Sequence, residues 1–162
     1  MSEWSAQKVD LSRRNLLFGR KPQAPTALQP PWATSRFTED CTRCGECIVA
    51  CPTGLLRKGD GGFPQPDFRQ AECDFCEQCV TACQSGALQL QGQAWAYRAG
   101  ISAQCLAHRQ VECRVCGEGC PQQAIRFRLQ LGKMAQPQLD GDLCNGCGAC
   151  VSLCPAQAIT VK

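Results

Sequence analysis

Apolar positions recur along this chain at matching places. Leu55-Leu56, Ala87-Leu88, Ala124-Ile125 and Ala158-Ile159 form four short apolar pairs, and two residues beyond them stand Lys58, Leu90, Phe127 and Val161. Three of the four therefore continue with period two, as a half-buried strand does. Another apolar residue, Phe37, Phe68 or Leu139, precedes three of the loops that lead to these pairs. Gly59-Asp60-Gly61-Gly62 and Leu131-Gly132-Lys133-Met134 read as hairpin turns. Gln89 to Tyr97, with Gly92 at its middle, reads as a third hairpin, whose Trp95 and Tyr97 are expected in the core. The repeated unit is strand, loop, helical turn, strand, which predicts an α+β chain of short elements.

The loops between these elements hold the chemistry. Unit one carries Cys41, Cys44, Cys47 and Cys51, followed by Pro52. Unit two carries Cys73, Cys76, Cys79 and Cys83, with Gln84 in place of the proline. Unit three carries Cys105, then Cys113, Cys116, Cys120 and Pro121, with seven residues instead of two after its first cysteine. Unit four carries Cys144, Cys147, Cys150, Cys154 and Pro155. From the last cysteine of one unit to the first of the next the steps are 22, 22 and 24 residues, an internal repeat.

The spacing C-x₂-C-x₂-C-x₃-C-P is that of bacterial ferredoxins, which bind [4Fe–4S] clusters. A cubane needs one soft thiolate per iron. Three cysteines on a tight loop reach three irons of one cube, whereas the fourth, on the following helical turn, ligates the partner cube. Glycines such as Gly146 and Gly148 let backbone N–H groups approach the cluster. Zinc sites favour separated C-x₂-C pairs, and disulfides need an oxidising compartment, so both suit this pattern less well. All sixteen cysteines are therefore candidate ligands of four expected [4Fe–4S] clusters, the third motif being the irregular one. There, Leu106 to Glu112 reads either as a looped insertion that still delivers Cys105, or as a sign that Cys105 is a free thiol; His108, the one histidine, is a weak substitute ligand. Adjacent units pair most simply, placing Cys83 with unit one and Cys51 with unit two; a nested pairing of one with four and two with three stays open.

Composition changes the picture in two ways. With 16 cysteines in 162 residues and only 6% aromatics, the apolar core is thin, so the clusters must serve as core and cross-links. The expected fold is then a tandem of bacterial-ferredoxin-like units around a small, irregular, cluster-stabilised core. The formal charge of +3 becomes about −5 if four cubes each bring about −2. No basic stripe with interleaved aromatics suggests nucleic acid. No apolar run nears the roughly 20 residues of a membrane span. No acid, base or activated-hydroxyl constellation suggests an enzyme.

Residues 1–36 hold no cysteine and read as an arm, ahead of a first pair of motifs over 37–98 and a second over 99–162. Lys21-Pro22-Gln23-Ala24-Pro25 and Gln29-Pro30-Pro31-Trp32 look extended and linker-like. Within the arm, Leu11-Ser12-Arg13-Arg14-Asn15-Leu16-Leu17-Phe18 resembles a twin-arginine export signal. Only three apolar residues follow before Gly19-Arg20-Lys21-Pro22, short of the stretch of about 7–15 that export needs. The alternatives are a short amphipathic helix capped by Ser12 or Asp10, and a segment that docks a partner through Arg13 and Arg14.

Taken together, the four units resemble polyferredoxin-like proteins. The arm (Ser12-Arg13-Arg14-Asn15-Leu16-Leu17, then Pro30-Pro31-Trp32) and the irregular third unit (Cys105-Leu106-Ala107-His108-Arg109-Gln110-Val111-Glu112-Cys113-Arg114-Val115-Cys116) resemble the NapF-type ferredoxin-like accessory proteins of the periplasmic nitrate reductase system. The resemblance implies a cytoplasmic protein that contacts the nitrate reductase catalytic subunit before its export. It implies a part in maturing that subunit, through cluster assembly or loading or through electron supply. The alternative is an electron-transfer polyferredoxin, or an electron-transfer subunit of an oxidoreductase.

Overall fold

Each expected unit closes with its apolar pair, and the structure, a computed structural model describing residues 27–162, builds its ladders from those pairs. Short helices alternate with short strands: α1 Phe37–Asp40, α2 Glu46–Val49, β1 Leu56–Lys58, β2 Pro64–Pro66, α3 Gln78–Thr81, β3 Ala99–Ile101, α4 Val115–Glu118, β4 Ile125–Gln130, β5 Lys133–Leu139, α5 Ala149–Ser152 and β6 Ile159–Val161. Helices α2 to α5 each carry the third cysteine of a unit, and the fourth follows within a few residues.

The two halves share one plan. In the C-terminal half β4 and β5 form an antiparallel hairpin, while β3 and β6, first and last, pair antiparallel with Ile101 opposite Ile159. In the N-terminal half β1 and β2 form the hairpin, with Leu56 opposite Pro66. The first-to-last pairing there shrinks to a bridge between Ala33 and Leu88. It is reinforced by Thr34 N–H to the Ala87 carbonyl and Gln89 N–H to the Trp32 carbonyl. The turns at 59–62 and 131–134 connect strands as expected. The stretch from Gln89 to Tyr97 differs: it forms no hairpin and runs irregularly, because Trp32 takes the partner that a second strand would have used, donating its N–H to the Ala94 carbonyl.

Gln29-Pro30-Pro31-Trp32 also differs from its reading as a linker. Pro30 is fully buried and Trp32 is 8% exposed, packed with Phe37, Leu56 and Leu88. An indole of that size in a cysteine-rich half replaces much of the missing aliphatic core. The Arg13-Arg14 segment lies outside the described residues.

Cysteines are themselves core residues. Cys47 and Cys79 belong to the N-terminal cluster, and Cys116 and Cys150 to the C-terminal one with Ala99, Ile125 and Ile159. A third cluster joins the halves, packing Leu55, Phe68 and Trp95 against Val161. Among the described residues, no helix is long and apolar enough to cross a membrane.

Candidate metal centres

The loops take their shape from the residues flanking each unit's second cysteine. Arg43 and Gly45 around Cys44, Phe75 and Glu77 around Cys76, and Gly146 and Gly148 around Cys147 all have positive φ, between 58° and 84°. Two left-handed residues astride one cysteine curl the loop and turn successive N–H groups inward, the geometry of an anion-binding nest. Unit three lacks this device: Arg114, after Cys113, sits at φ −132°. Its seven-residue insertion is held by backbone bonds of its own. Bonds from Arg109 N–H to the Cys105 carbonyl and from Val111 N–H to the Leu106 carbonyl close the loop on itself. Ala107, fully buried, anchors it against Ala158. His108 is exposed, its Nδ1 3.3 Å from the Ser102 carbonyl oxygen.

The sixteen cysteines fall into four groups of four. Cys41, Cys44, Cys47 and Cys83 line one space. Cys105, Cys113, Cys116 and Cys154 line a second. Cys144, Cys147 and Cys150 line a third with Cys120. In the fourth group Cys51 faces Cys73, Cys76 and Cys79, whose thiols all respond to its charge. Adjacent units thus pair, each lending its last cysteine to the other, and the nested arrangement does not occur. Burial, then the neighbouring sulfurs Cys41, Cys44 and Cys83, pushes the Cys47 thiol up to about 11. Burial, then Cys105, Cys154 and Cys113, does the same at Cys116, to about 11. Cys73, Cys79 and Cys150 rise to about 12, again chiefly through burial.

The exchanged cysteines have a different setting. Three residues after each comes another left-handed residue: Gly54, Gly86, Gln123 and Gln157. That turn folds the chain back over the sulfur, so that Ala124 N–H donates to Cys120 Sγ and Ala158 N–H to Cys154 Sγ, both at 3.3 Å. Gln84, where the motif would have proline, leaves the turn intact. In the N-terminal half a hydroxyl joins in: Thr53 Oγ1 lies 3.5 Å from Cys51 Sγ and Ser85 Oγ 3.6 Å from Cys83 Sγ. Burial alone would raise these two thiols, but backbone N–H groups at 54–56 and 86–88 together with the hydroxyls bring both below the ordinary value.

The halves meet at the loops of units two and four. Cys73 N–H donates to the Cys147 carbonyl at 2.8 Å, one cage wall bonded directly to another. Trp95 covers this junction: its indole N–H donates to the Asn145 carbonyl at 3.2 Å, and its ring packs edge-on to Phe75 and Phe68, centroids 6.2 and 5.4 Å away. At Gly148 a side-chain methyl would overlap the Phe68 ring.

Each cage offers four soft sulfurs facing one space, with backbone donors turned toward them, a donor set that fits an iron–sulfur cube. Sequence reasoning located the sulfurs but not the Cys73–Cys147 contact, which motif spacing does not encode. The hydroxyls of Thr53 and Ser85 were readable as the position two after each last cysteine.

Comparison with known proteins agrees. The 4Fe-4S dicluster domain family matches residues 40–87 and 111–158. The chain is 45% identical to the ferredoxin-type protein NapF of Haemophilus influenzae, covering 94% of each. It is 44% identical to the ferredoxin-type protein NapF of Escherichia coli K12, covering 96% of each. The ferredoxin-type protein NapG of Haemophilus influenzae is 31% identical, the match covering 83% of this chain and 57% of that protein.

Proposed function

The chain belongs to the NapF family of ferredoxin-type proteins, with two 4Fe-4S dicluster domains, and from that premise we propose that it is a cytoplasmic electron-supplying partner of the periplasmic nitrate reductase catalytic subunit, acting on it before export. Four [4Fe–4S] cubes are assigned to Cys41/Cys44/Cys47/Cys83, Cys73/Cys76/Cys79/Cys51, Cys105/Cys113/Cys116/Cys154 and Cys144/Cys147/Cys150/Cys120. Bound there, the cubes supply one-electron redox capacity, and the chain supplies insulation, sulfur hydrogen bonds and a docking handle. It carries electrons and catalyses no bond chemistry of its own.

The observation that carries this reading is the exchange of the last cysteine between units. Removing any one cube would release ligands from two loops at once, so the architecture favours retention of clusters over their donation. Maturation of the catalytic subunit is then served by reducing equivalents rather than by cluster loading. Arg13 and Arg14 are the proposed contact with that subunit.

Anaerobic capture tests the proposal. The tagged chain should retain the precursor of the catalytic subunit and release the exported holoenzyme. Its own iron should stay at about sixteen atoms throughout, four per cube. Arg13→Ala with Arg14→Ala should weaken capture. Absence of precursor capture, or iron moving from this chain onto the precursor, would overturn the reading.

A further inference from the structure

The four cages are alike in their sulfurs and unlike in what surrounds the exchanged one. We infer that Thr53 and Ser85 hold the N-terminal dicluster domain at a higher reduction potential than the C-terminal one, so that a single reducing equivalent on this chain resides in the N-terminal half. The inference rests on the four-cube reading above.

An iron-bound cysteine sulfur accepts hydrogen bonds and donates none, so at 3.5 and 3.6 Å the Thr53 and Ser85 hydroxyls must be the donors. Ser85 is set up for this, because its oxygen already accepts the Ala87 N–H at 3.4 Å. At the matching positions the C-terminal half has Gln122 and Ala156, which bring no hydroxyl. There the described hydrogen bonds to Cys120 and Cys154 Sγ come from the backbone of Ala124 and Ala158. Reduction places one more negative charge on a cube and its sulfurs, and each added donor stabilises that charge.

Solvent exposure points the same way and is a separate observation. Cys44 and Cys76 are exposed, one in each N-terminal cage, whereas every C-terminal cysteine is buried or half-buried. Water at an exposed ligand favours the more highly charged, reduced state. Nearby carboxylates oppose this ordering in part, because negative charge disfavours the reduced state, and the hydroxyls and exposure outweigh it. Asp74 lies beside Cys73 and Cys76 in one half, and Glu72 faces Cys147 in the other.

The test is a redox titration of the anaerobically prepared full chain, followed by electron paramagnetic resonance, after iron and sulfide are counted. Cys44→Ser and Cys113→Ser, each altering one cage, assign signals to halves. The N-terminal signals should titrate at higher potential. Ser85→Ala should lower the potential of the Cys41/Cys44/Cys47/Cys83 site, and Thr53→Val, which keeps the side-chain shape, that of the Cys73/Cys76/Cys79/Cys51 site. Neither should move the C-terminal signals. Conversely, Ala156→Ser should raise the Cys105/Cys113/Cys116/Cys154 site. N-terminal signals at or below the C-terminal ones, or midpoints unmoved in both hydroxyl variants, would overturn the inference with the four-cube reading intact. A count well short of four cubes would overturn that reading and the inference together.

Discussion

Left-handed backbone around the second cysteine is where these loops are strained. Unit four meets the requirement with Gly146 and Gly148, unit one with Gly45 and Arg43, and unit two with no glycine at all. A non-glycine residue there costs roughly 1–2 kcal/mol. Phe75 has an evident return, since its ring lies edge-on to both Trp32 and Trp95. Glu77 has no comparable contact, so Glu77→Gly should raise the stability of the loaded protein by about 1 kcal/mol in anaerobic denaturation. Acid should act at the same scale. Without iron, the Cys47, Cys73, Cys79, Cys116 and Cys150 thiols hold their protons up to about 11 or 12, so protons compete with iron across the neutral range. Cluster uptake releases those protons, and apparent affinity therefore rises with pH. Iron transfer to a chelator should be faster at about pH 6 than at about pH 8, measured by absorbance under nitrogen.

Elements show which features motif spacing can reveal. The four cysteine loops, the β1–β2 and β4–β5 hairpins and the exchange of last cysteines were all legible, because each follows from local spacing or from the reach of a short loop. Unit three was legible in outline: a seven-residue detour could still return Cys105 to its cage, and buried Ala107 is what fixes it. The role of Trp32 was not legible. Two prolines before a tryptophan look like linker until the first-to-last pairing with Leu88 is known, and that pairing spans more than fifty residues. The seam between halves was equally hidden, because periodicity identifies repeats without saying how they stack. It is testable at Gly148, whose φ of 83° and contact with Phe68 leave no room for a side chain. Gly148→Ala should destabilise the seam by about 1–3 kcal/mol, the usual range for overpacking, with the backbone term added. Rotary diffusion and scattering of the loaded chain should then report looser association of the halves, while Gly45→Ala, which meets no neighbour, should leave the seam unchanged.

For the whole molecule, cysteines and apolar side chains share the core. The two halves each surround a pair of cages and abut through Cys73 and Cys147, so the four sites lie along one chain rather than in two separated pairs. With four cubes in place the net charge changes from +3 to about −5, which makes the loaded protein an anion that a basic partner surface would attract.

The borrowed last cysteine also governs how such a chain dies in air. Dioxygen will reach the N-terminal half first, where Cys44 and Cys76 stand open to water. Once one cube there is attacked, the cysteine it borrowed is freed, and the turn that cysteine anchors slackens around the neighbouring cube. Colour should therefore bleach in two steps of two cubes, N-terminal pair before C-terminal pair, leaving a half-brown intermediate that iron counting would find at about eight atoms per chain.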